Sequence, residues 1–337
     1  MSVALLINAL TYASMLVLMA EAHTLTYLTS DAFNLTVGPI AAIGAYLAFT
    51  LTRILGLQLY LSLPAAFVVC SIAGVICQAL VVEPMLRRGR GPVLLTLALI
   101  GAGILLTALI KIYAHRLQSA VGIWTNTFML YGYDFKVGWV QGIFIASTAL
   151  AFASVLLHER LFNDTLLGAS MRAVVENADL AMVQGVNPAR VRLLSWALAG
   201  GLAGLAGAYG SVWFRGSTDM GSALMTGVLA ACLLGGVTSI RGSAVGGLIM
   251  GVLENVSVVW GQRVFGTWIG EYRPIVPIAV IAITMLLMPQ GLLGFKRSNK
   301  SNKALELLVD LHDRVLRSRK FELLPRSGDV HYSLLRD

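Results

Sequence analysis

The apolar residues of the chain form long continuous runs separated by short polar segments. A helix needs about 20 apolar residues to cross a bilayer core of roughly 30 Å, and backbone groups in lipid must be paired internally. The runs do not alternate as strands of a barrel would. The pattern therefore predicts an all-α, polytopic transmembrane helix bundle of about 8–9 spans. The predicted spans are approximately residues 2–20 (reaching to about 28), 35–51, 57–82, 92–113, 138–157, 191–214, 223–238, 242–260 and 274–288.

The exact number of spans depends on the early spans and on the two glycine-rich apolar stretches on either side of Arg241. Helices broken at membrane depth are found where they line a pathway. Either member of the pair is therefore a candidate half-helix.

Basic residues in the short loops predict the orientation, because cytoplasmic loops carry an excess of Lys and Arg. Arg and Lys are clustered in three segments: residues 83–91, residues 158–190 and the segment after 295. We place these segments on the cytoplasmic side of the membrane. Residues 114–137 then fall outside, with aromatic side chains suited to an interface at Trp124, Tyr131, Tyr133 and nearby Trp139. Nine spans put the N-terminus outside, and a different count reverses it.

The composition agrees with a lipid-facing surface. Apolar residues make up 57% of the 337 and charged residues 12%, whereas soluble domains are about 25% charged. The net charge of +8 lies in loops and tail, which argues against nucleic-acid binding. Cys70, Cys77 and Cys232 lie in apolar spans without zinc or disulfide spacing and are interpreted as packing residues.

The C-terminal segment differs in character from the rest. We divide the chain into a transmembrane domain, 1–296, and a cytoplasmic tail, 297–337. The tail has the residue spacing of an amphipathic helix, at Leu305, Leu308, Leu311 or His312, and Val315. The tail either lies on the membrane surface, packs on a partner or is a loosely ordered terminus.

The loop at about 158–190 contains a short predicted cytoplasmic helix followed by a sharp turn into the sixth span. Gly185 is expected to end that helix, and Asn187-Pro188 suits the start of the next. A short helix with a small-residue face can seat in a groove of a soluble partner. It can equally be a plain connection, and the pattern alone leaves both readings open.

This loop resembles the signature loop of importer permeases of the ATP-binding cassette (ABC) class. Asp179-Leu180-Ala181 followed by Gly185 is similar to the acidic-Ala-Ala…Gly motif that docks on the ATPase. More narrowly, the passage resembles the high-affinity branched-chain amino acid permease family, whose relatives include urea and short-amide permeases. The resemblance implies an ATPase-coupling set of Gly168, Arg172, Ala173, Glu176, Asn177, Asp179, Ala181, Gly185 and Asn187.

Further passages resemble the same family in the same order, at residues 32–46, 198–210, 233–255 and 288–294. The chain departs from the family pattern at several points. No histidine stands just before Gly38, Glu21 and His23 replace largely apolar positions, and Met288 stands where arginine is usual. The tail is also not a usual feature of the family. These departures bear on the substrate more than on the mechanism.

The expected translocation pathway includes Asn34 and Gly38, which lie in the passage at 32–46 that resembles the family, and Glu254, an ionisable residue within a span. A charge within a span costs about 2.5–3.5 kcal/mol on insertion scales. We expect Glu254 to face the bundle interior and pair with a polar group, although a purely structural acceptor fits equally well. Small residues that let helices approach closely recur at Gly200, Gly204, Gly207, Gly247 and Gly251.

Missing motifs narrow the chemistry. The sequence has no phosphate-binding G-x-x-x-x-G-K-[ST] loop, no H-E-x-x-H and no Cys/His cluster. We therefore expect no enzyme activity, no metal and no cofactor in this chain, with ATP and Mg bound by partner subunits.

The resemblance implies the partners and the cargo. It predicts a multi-pass protein of the cell inner membrane that pairs with a second permease, as a heterodimer. Two cytoplasmic ATPase subunits and an extracytoplasmic solute-binding protein complete the importer. The implied substrates are branched-chain amino acids, with urea or short amides as the alternative. An ion-coupled secondary transporter or channel, with Glu21, His23 and Glu254 as ion or proton sites, and a membrane enzyme remain as other classes.

Overall fold

A computed structural model describes residues 3–138, 140–288 and 290–293 of the chain. Within these residues the fold is a bundle of apolar helices, so the predicted all-α polytopic class is confirmed. The helices are α1 (Val3–Ser30), α2 (Val37–Phe49), α3 (Leu59–Cys77), α4 (Glu83–Arg87), α5 (Pro92–Val121), α6 (Gly142–Asp164), α7 (Leu166–Glu176), α8 (Ala178–Val183), α9 (Pro188–Trp213), α10 (Met220–Gly235), α11 (Ile240–Phe265) and α12 (Ile275–Leu287). The predicted tail, residues 297–337, lies outside the described residues.

Eight helical stretches of the described residues are long and apolar enough to cross a membrane, and α10 is a shorter apolar helix. A π-helical turn, Thr50–Ile54, extends α2, and another, Gln78–Val82, joins α3 to α4. Of the glycine-rich pair, α11 is a full-length helix of 26 residues, whereas α10 has 16. At 1.5 Å per residue α10 is about 24 Å long, which is less than the hydrocarbon core.

Two helices form the centre of the bundle. Nearly every side chain of α1 from Thr11 to Thr26 is buried, as is most of α9 beyond Trp196. Helices α5 and α12 are largely exposed apart from a few contact residues, as expected of helices that face lipid. The core therefore forms around α1 and α9, with α2, α3, α10 and α11 packed on them.

Glycines allow α9 to approach its neighbours backbone to backbone. A Cβ added at Gly207 would lie 1.7 Å from the carbonyl oxygen of Ala41 on α2, and one at Gly200 would lie 2.3 Å from that of Cys70 on α3. Gly247 and Gly251 of α11 pack in the same way against α1. The predicted small-residue contacts are thus present, and they join helices that are distant in the sequence.

Short strands close one end of the bundle. β1 (Thr127–Phe128) pairs antiparallel with β4 (Gly216–Ser217), and β2 (Lys136–Val137) pairs with β3 (Val140–Gln141). α5 continues to Val121, so residues 114–121 are helical and not loop as the sequence suggested. The reason is that a helix can continue beyond the lipid once its polar residues reach water.

The loops sort into two groups at opposite ends of α9. Leu130 N donates to Ser211 O over 3.0 Å, which ties the predicted outer loop to the end of α9. Arg192, in the first turns of α9, binds Glu83 beside the basic loop. The basic loop and the segment before α9 therefore share one end of the bundle, as the charge pattern requires. Which end faces the cytoplasm stays a prediction, and Trp139 lies outside the described residues.

We predict that Gly207→Ala destabilises the bundle, because the new Cβ meets backbone that cannot move aside cheaply. Overpacking of this kind costs about 1–3 kcal/mol and should lower the melting temperature of the purified chain in detergent. Gly101→Ala is the matched control, since it brings the same gain in helix propensity with no atom within 4 Å of the added Cβ. Equal shifts in the two variants would contradict the close contact.

Candidate functional site

Helices α7 and α8 and the turn into α9 form a compact elbow at one end of the bundle, and its polar residues shape it. Thr165 Oγ1 accepts from Gly168 N over 3.1 Å at the start of α7. Asn177 Oδ1 accepts from Asp179 N and Leu180 N at the start of α8, each over 3.0 Å. Such side-chain caps satisfy amides that a helix leaves unpaired, so each helix begins at a fixed residue.

The turn after α8 also has a local cause. Gly185 has φ +84°, a left-handed conformation that glycine adopts readily. Val186 N donates to Ala181 O and Gly185 N to Met182 O, each over 3.0 Å, which closes the end of α8. Asn187 Oδ1 then accepts from Ala189 N over 3.0 Å and starts α9. The elbow is thus stiff, and the predicted helix end at Gly185 is where the structure has it.

Two residues of the predicted coupling set face their own chain. Ala181 is buried in a small apolar core with Met171, Val174 and Val191. A Cβ at Gly168 would lie 2.2 Å from Leu161 O, so this glycine lets α7 fold back on α6. Both residues hold the elbow together. Exposed members of the set, available to a partner, are Arg172, Glu176, Asn177, Asp179, Gly185 and Asn187, and Ala173 is half-buried.

The elbow presents apolar side chains that the sequence analysis did not single out. Leu180 is 62% exposed, Met182 52% and Val183 86%. We call these three residues the α8 face. Contiguous exposed apolar residues commonly mark an interaction surface. The signal was present in the sequence as an apolar run within a polar loop.

An ion pair holds the first turns of α9, directly after the elbow, against α4. Arg192 Nη2 lies 3.0 Å from Glu83 Oε2, and both side chains are mostly buried. The same carboxylate accepts from Arg87 Nε over 3.1 Å and from Gln78 Nε2 over 3.2 Å. The base of α9 is therefore fixed to α4 and, through Glu83, to the π-helical turn that joins α3 to α4.

Two of the three predicted pathway residues lie at helix junctions. Asn34 Oδ1 accepts from Thr36 N over 2.9 Å, and Asn34 Nδ2 donates to Thr26 Oγ1 over 3.2 Å, which pins the buried turn between α1 and α2. A Cβ at Gly38 would lie 2.6 Å from Gly221 O, where α2 meets α10. These contacts give both residues a structural part, and their part in transport stays a prediction.

Glu254 lies elsewhere, in a buried cluster near the other end of the bundle. Its Oε1 accepts from Tyr12 Oη over 2.9 Å and also binds Arg273 Nε. The Arg273 guanidinium carbon lies 4.2 Å from the centroid of the Tyr12 ring. Burial disfavours the charged form of Arg273 and acts to lower its pKa. The interactions with Tyr12 and Glu254 are stronger than this effect, so the pKa of the guanidinium is raised above its ordinary value. Glu254 is thus interior and paired, as we expected of it, whereas Arg273 was missed because it lies outside the predicted spans.

A second buried acid lies on α1. Glu21 is fully buried, and its Oε2 lies 3.2 Å from His158 Nδ1 on α6. His23 is also fully buried, with Nδ1 3.2 Å from Asn34 O. Among the described residues no group of three His, Cys, Asp or Glu side chains is arranged to hold a metal ion.

Comparison with protein families identifies the class of membrane protein to which the chain belongs. Residues 5–288 match the model of the branched-chain amino acid transport system permease component. The chain belongs to this permease family. The family predicted from the sequence is therefore confirmed, and the permease is a multi-pass inner-membrane protein.

Individual relatives show both the agreement and the breadth of the family. The permease is 32% identical to a probable branched-chain amino acid transport permease LivH of Methanocaldococcus jannaschii, over 85% of this chain and 91% of the relative. It is 26% identical to the fructose import permease FruF of Bifidobacterium longum, over 89% of this chain and 82% of that one. Among solved structures, it is similar to PsaBC from Streptococcus pneumoniae in complex with Fab, with a TM-score of 0.51 and 15% identity, over 85% of this chain and 92% of that one. That likeness supports the fold alone.

We predict that Arg192→Met weakens the permease fold, because it leaves a mostly buried Glu83 carboxylate without its main partner. Hydrogen bonds to charged groups contribute about 1.5–3 kcal/mol, so the melting temperature in detergent should fall. Arg87→Met is the control, since Arg87 binds the same carboxylate but its side chain is 73% exposed and exposed pairs contribute about 0–1 kcal/mol. A control that destabilises as much as Arg192→Met would contradict the assignment.

Proposed function

We propose that this permease forms the membrane-spanning part of an ABC importer for branched-chain amino acids. In this proposal two separate ATPase subunits bind ATP and Mg, and a solute-binding protein delivers the substrate. A second permease completes a heterodimer. The observation that carries the proposal is the α8 face, an exposed apolar surface on a capped, stiff elbow that leads directly into the central helix of the bundle.

The docking step follows from the shape of the elbow. The α8 face is apolar, yet it lies on the end of the bundle that carries the basic loop. Burial of apolar surface contributes about 25 cal/mol per Å², so a groove on an ATPase subunit would gain by covering it. Asp179 of α8 and Arg172 of α7 are both exposed, so in this proposal they are available for polar contacts with the ATPase subunit. The predicted coupling residues thus divide into those that shape the elbow and those that border the docking surface.

The transmission step follows from what the elbow is attached to. α9 starts two residues after Val186 and packs along α1, α2 and α3. The Arg192–Glu83 pair fixes its base to α4, which the π-helical turn Gln78–Val82 joins to α3. A displacement of the elbow on ATP binding would therefore move α9 and α3 together, and α9 would carry the movement across the bundle.

The choice of cargo rests on the relatives. A relative at 32% identity is named for branched-chain amino acids, which supports these as the substrates. Because a fructose permease also matches most of the chain, the cargo is tested directly by ATP-driven uptake of leucine, isoleucine, valine, urea and fructose. The assay uses proteoliposomes that hold the complete importer.

We predict that Val183→Asp abolishes ATP-driven uptake and reduces co-purification of the ATPase subunits about tenfold, since a desolvated carboxylate in an apolar contact costs at least 1.4 kcal/mol. The chain should still insert and keep its melting temperature, because the side chain is 86% exposed. Leu166→Asp is the control, an equally exposed residue at the far end of the elbow. Normal uptake and normal co-purification in Val183→Asp would refute docking through this surface.

One observation favours the ion-coupled alternative. Glu21 is fully buried on α1, and neither of its oxygens has a hydrogen-bond partner among the described residues, although His158 Nδ1 on α6 lies 3.2 Å from Oε2. Buried ionisable residues within spans often mark proton relays. If the chain is a secondary transporter, a proton gradient alone should drive uptake by the chain without nucleotide, and Glu21→Gln should abolish it. Our proposal predicts no uptake without ATP in either protein, measured in the same proteoliposomes.

A further inference from the structure

An open groove of about 540 Å³ lies at the end of the bundle that carries the basic loop. One wall is formed by the π-helical turn Gln78–Val82 and α4, and the other by the first turns of α9. Three arginines, Arg87, Arg88 and Arg190, line it. Among the described residues that form the groove, none belongs to the α8 face. The groove is therefore a feature separate from the proposed docking surface.

The acid in the groove already has basic partners. Glu83 Oε1 accepts from Arg87 Nε over 3.1 Å, and Glu83 Oε2 accepts from Arg192 Nη2 over 3.0 Å. Arg87 uses only its Nε for this contact, and its side chain is 73% exposed. The terminal amino groups of Arg87 therefore remain available to a ligand in the groove.

The other two arginines carry charges that no acid of the described residues neutralises. Neither Arg88 nor Arg190 takes part in an ion pair within that part of the chain, and both are exposed. Arg88 directly follows α4, and Arg190 lies in the first turn of α9. Like charges on the two walls of one groove repel each other. An anion between them would relieve this repulsion.

Apolar surface begins directly beside the arginines. Ala79 and Leu193 line the same groove, and Leu80, the next residue of the turn, is 72% exposed. These residues belong to the stretches Leu59–Arg87 and Pro188–Trp213, which are long and apolar enough to cross a membrane. The groove thus lies where lipid-facing helices meet a basic loop.

This combination of charge and apolar surface selects for one kind of ligand. Guanidinium groups form paired hydrogen bonds to phosphate oxygens, and basic pockets between transmembrane helices bind anionic lipid headgroups. A soluble phosphate would leave the apolar part of the groove uncovered. A phosphatidylcholine would bring a positive choline beside the arginines. An anionic phospholipid satisfies both parts, since it joins a negative headgroup to acyl chains.

We propose that this groove binds an anionic phospholipid from the leaflet that adjoins the basic loop. Its phosphate lies between Arg88 and Arg190, and its acyl chains run along Leu80 and Leu193. Arg87 contributes its terminal amino groups while its Nε stays on Glu83. The bound lipid connects α4 to the base of α9, in addition to the ion pair already there. The inference goes beyond the proposed function, because it holds for any cargo.

The test is native mass spectrometry of the full-length permease in detergent, which counts bound lipids. The probes are dioleoyl phosphatidylglycerol, dioleoyl phosphatidylcholine and glycerophosphate, which has the phosphate but no acyl chains. We expect phosphatidylglycerol to bind about tenfold more tightly than phosphatidylcholine. Glycerophosphate at the same concentration should not displace it. Equal binding of the two lipids, or displacement by glycerophosphate, overturns the proposal.

Variants locate the binding. Arg88→Gln and Arg190→Gln should each weaken phosphatidylglycerol binding about tenfold, the loss of one charge-assisted hydrogen bond. Both side chains are exposed, so the melting temperature should not change. Arg160→Gln is the matched control, an exposed arginine of α6 at the same end of the bundle and outside the groove. Equal losses in the control and the groove variants, or no loss in the groove variants, overturn the site.

A photoactivatable phosphatidylglycerol gives an answer that needs no variant. Cross-links to residues 79–88 or 189–194 of the wild-type permease support the groove, and cross-links confined to other residues overturn it. The complete importer then separates a lipid from a protein partner. Phosphatidylglycerol should stay bound when the two ATPase subunits are present. Its loss on their addition would assign the arginines to a protein interface and overturn the proposal.

Discussion

The approach of α9 to α2 and α3 is the contact on which the rest of the structure depends. Lipid gives helices no hydrophobic reason to associate, so close packing must hold them together. Gly200 and Gly207 bring the backbone of α9 against the carbonyl oxygens of Cys70 and Ala41. At 26 residues, about 39 Å, α9 spans the whole bundle. It begins at the elbow and ends just before Phe214, so one helix connects the two ends of the bundle.

The cost of burying charge explains why few charged side chains lie within the helices of the bundle. Glu254 binds Tyr12 and Arg273 through Oε1. Both oxygens of Glu21, in contrast, are buried without a hydrogen-bond partner among the described residues, although His158 Nδ1 lies 3.2 Å from Oε2. The surroundings of Glu21 and Glu254 differ in their exposure. Glu21 meets an imidazole within the centre of the bundle, whereas Glu254 lines a cavity and shares an arginine that is one-third exposed.

Much of the fold could be predicted from the sequence, because long apolar runs admit few structures in lipid. The turn at Gly185 and the start of α9 were also local signals that the structure follows. The end of α5 was predicted eight residues too early, since hydropathy marks where the lipid ends and not where the helix ends. The pairs that matter most could not be predicted. Arg192 and Glu83 are 109 residues apart, and no spacing rule connects them.

The elbow shows why a motif taken from resemblance needs the structure to interpret it. The predicted set contained residues such as Gly168 and Ala181, whose identity is explained by contacts within this chain. It omitted the α8 face, because in a helix of six residues the periodicity is too short to tell the inward side from the outward side. Small residues lie inside the elbow, and large apolar residues lie on its outside. The small residues determine how closely α7 and α8 pack on the bundle, and this packing positions the α8 face.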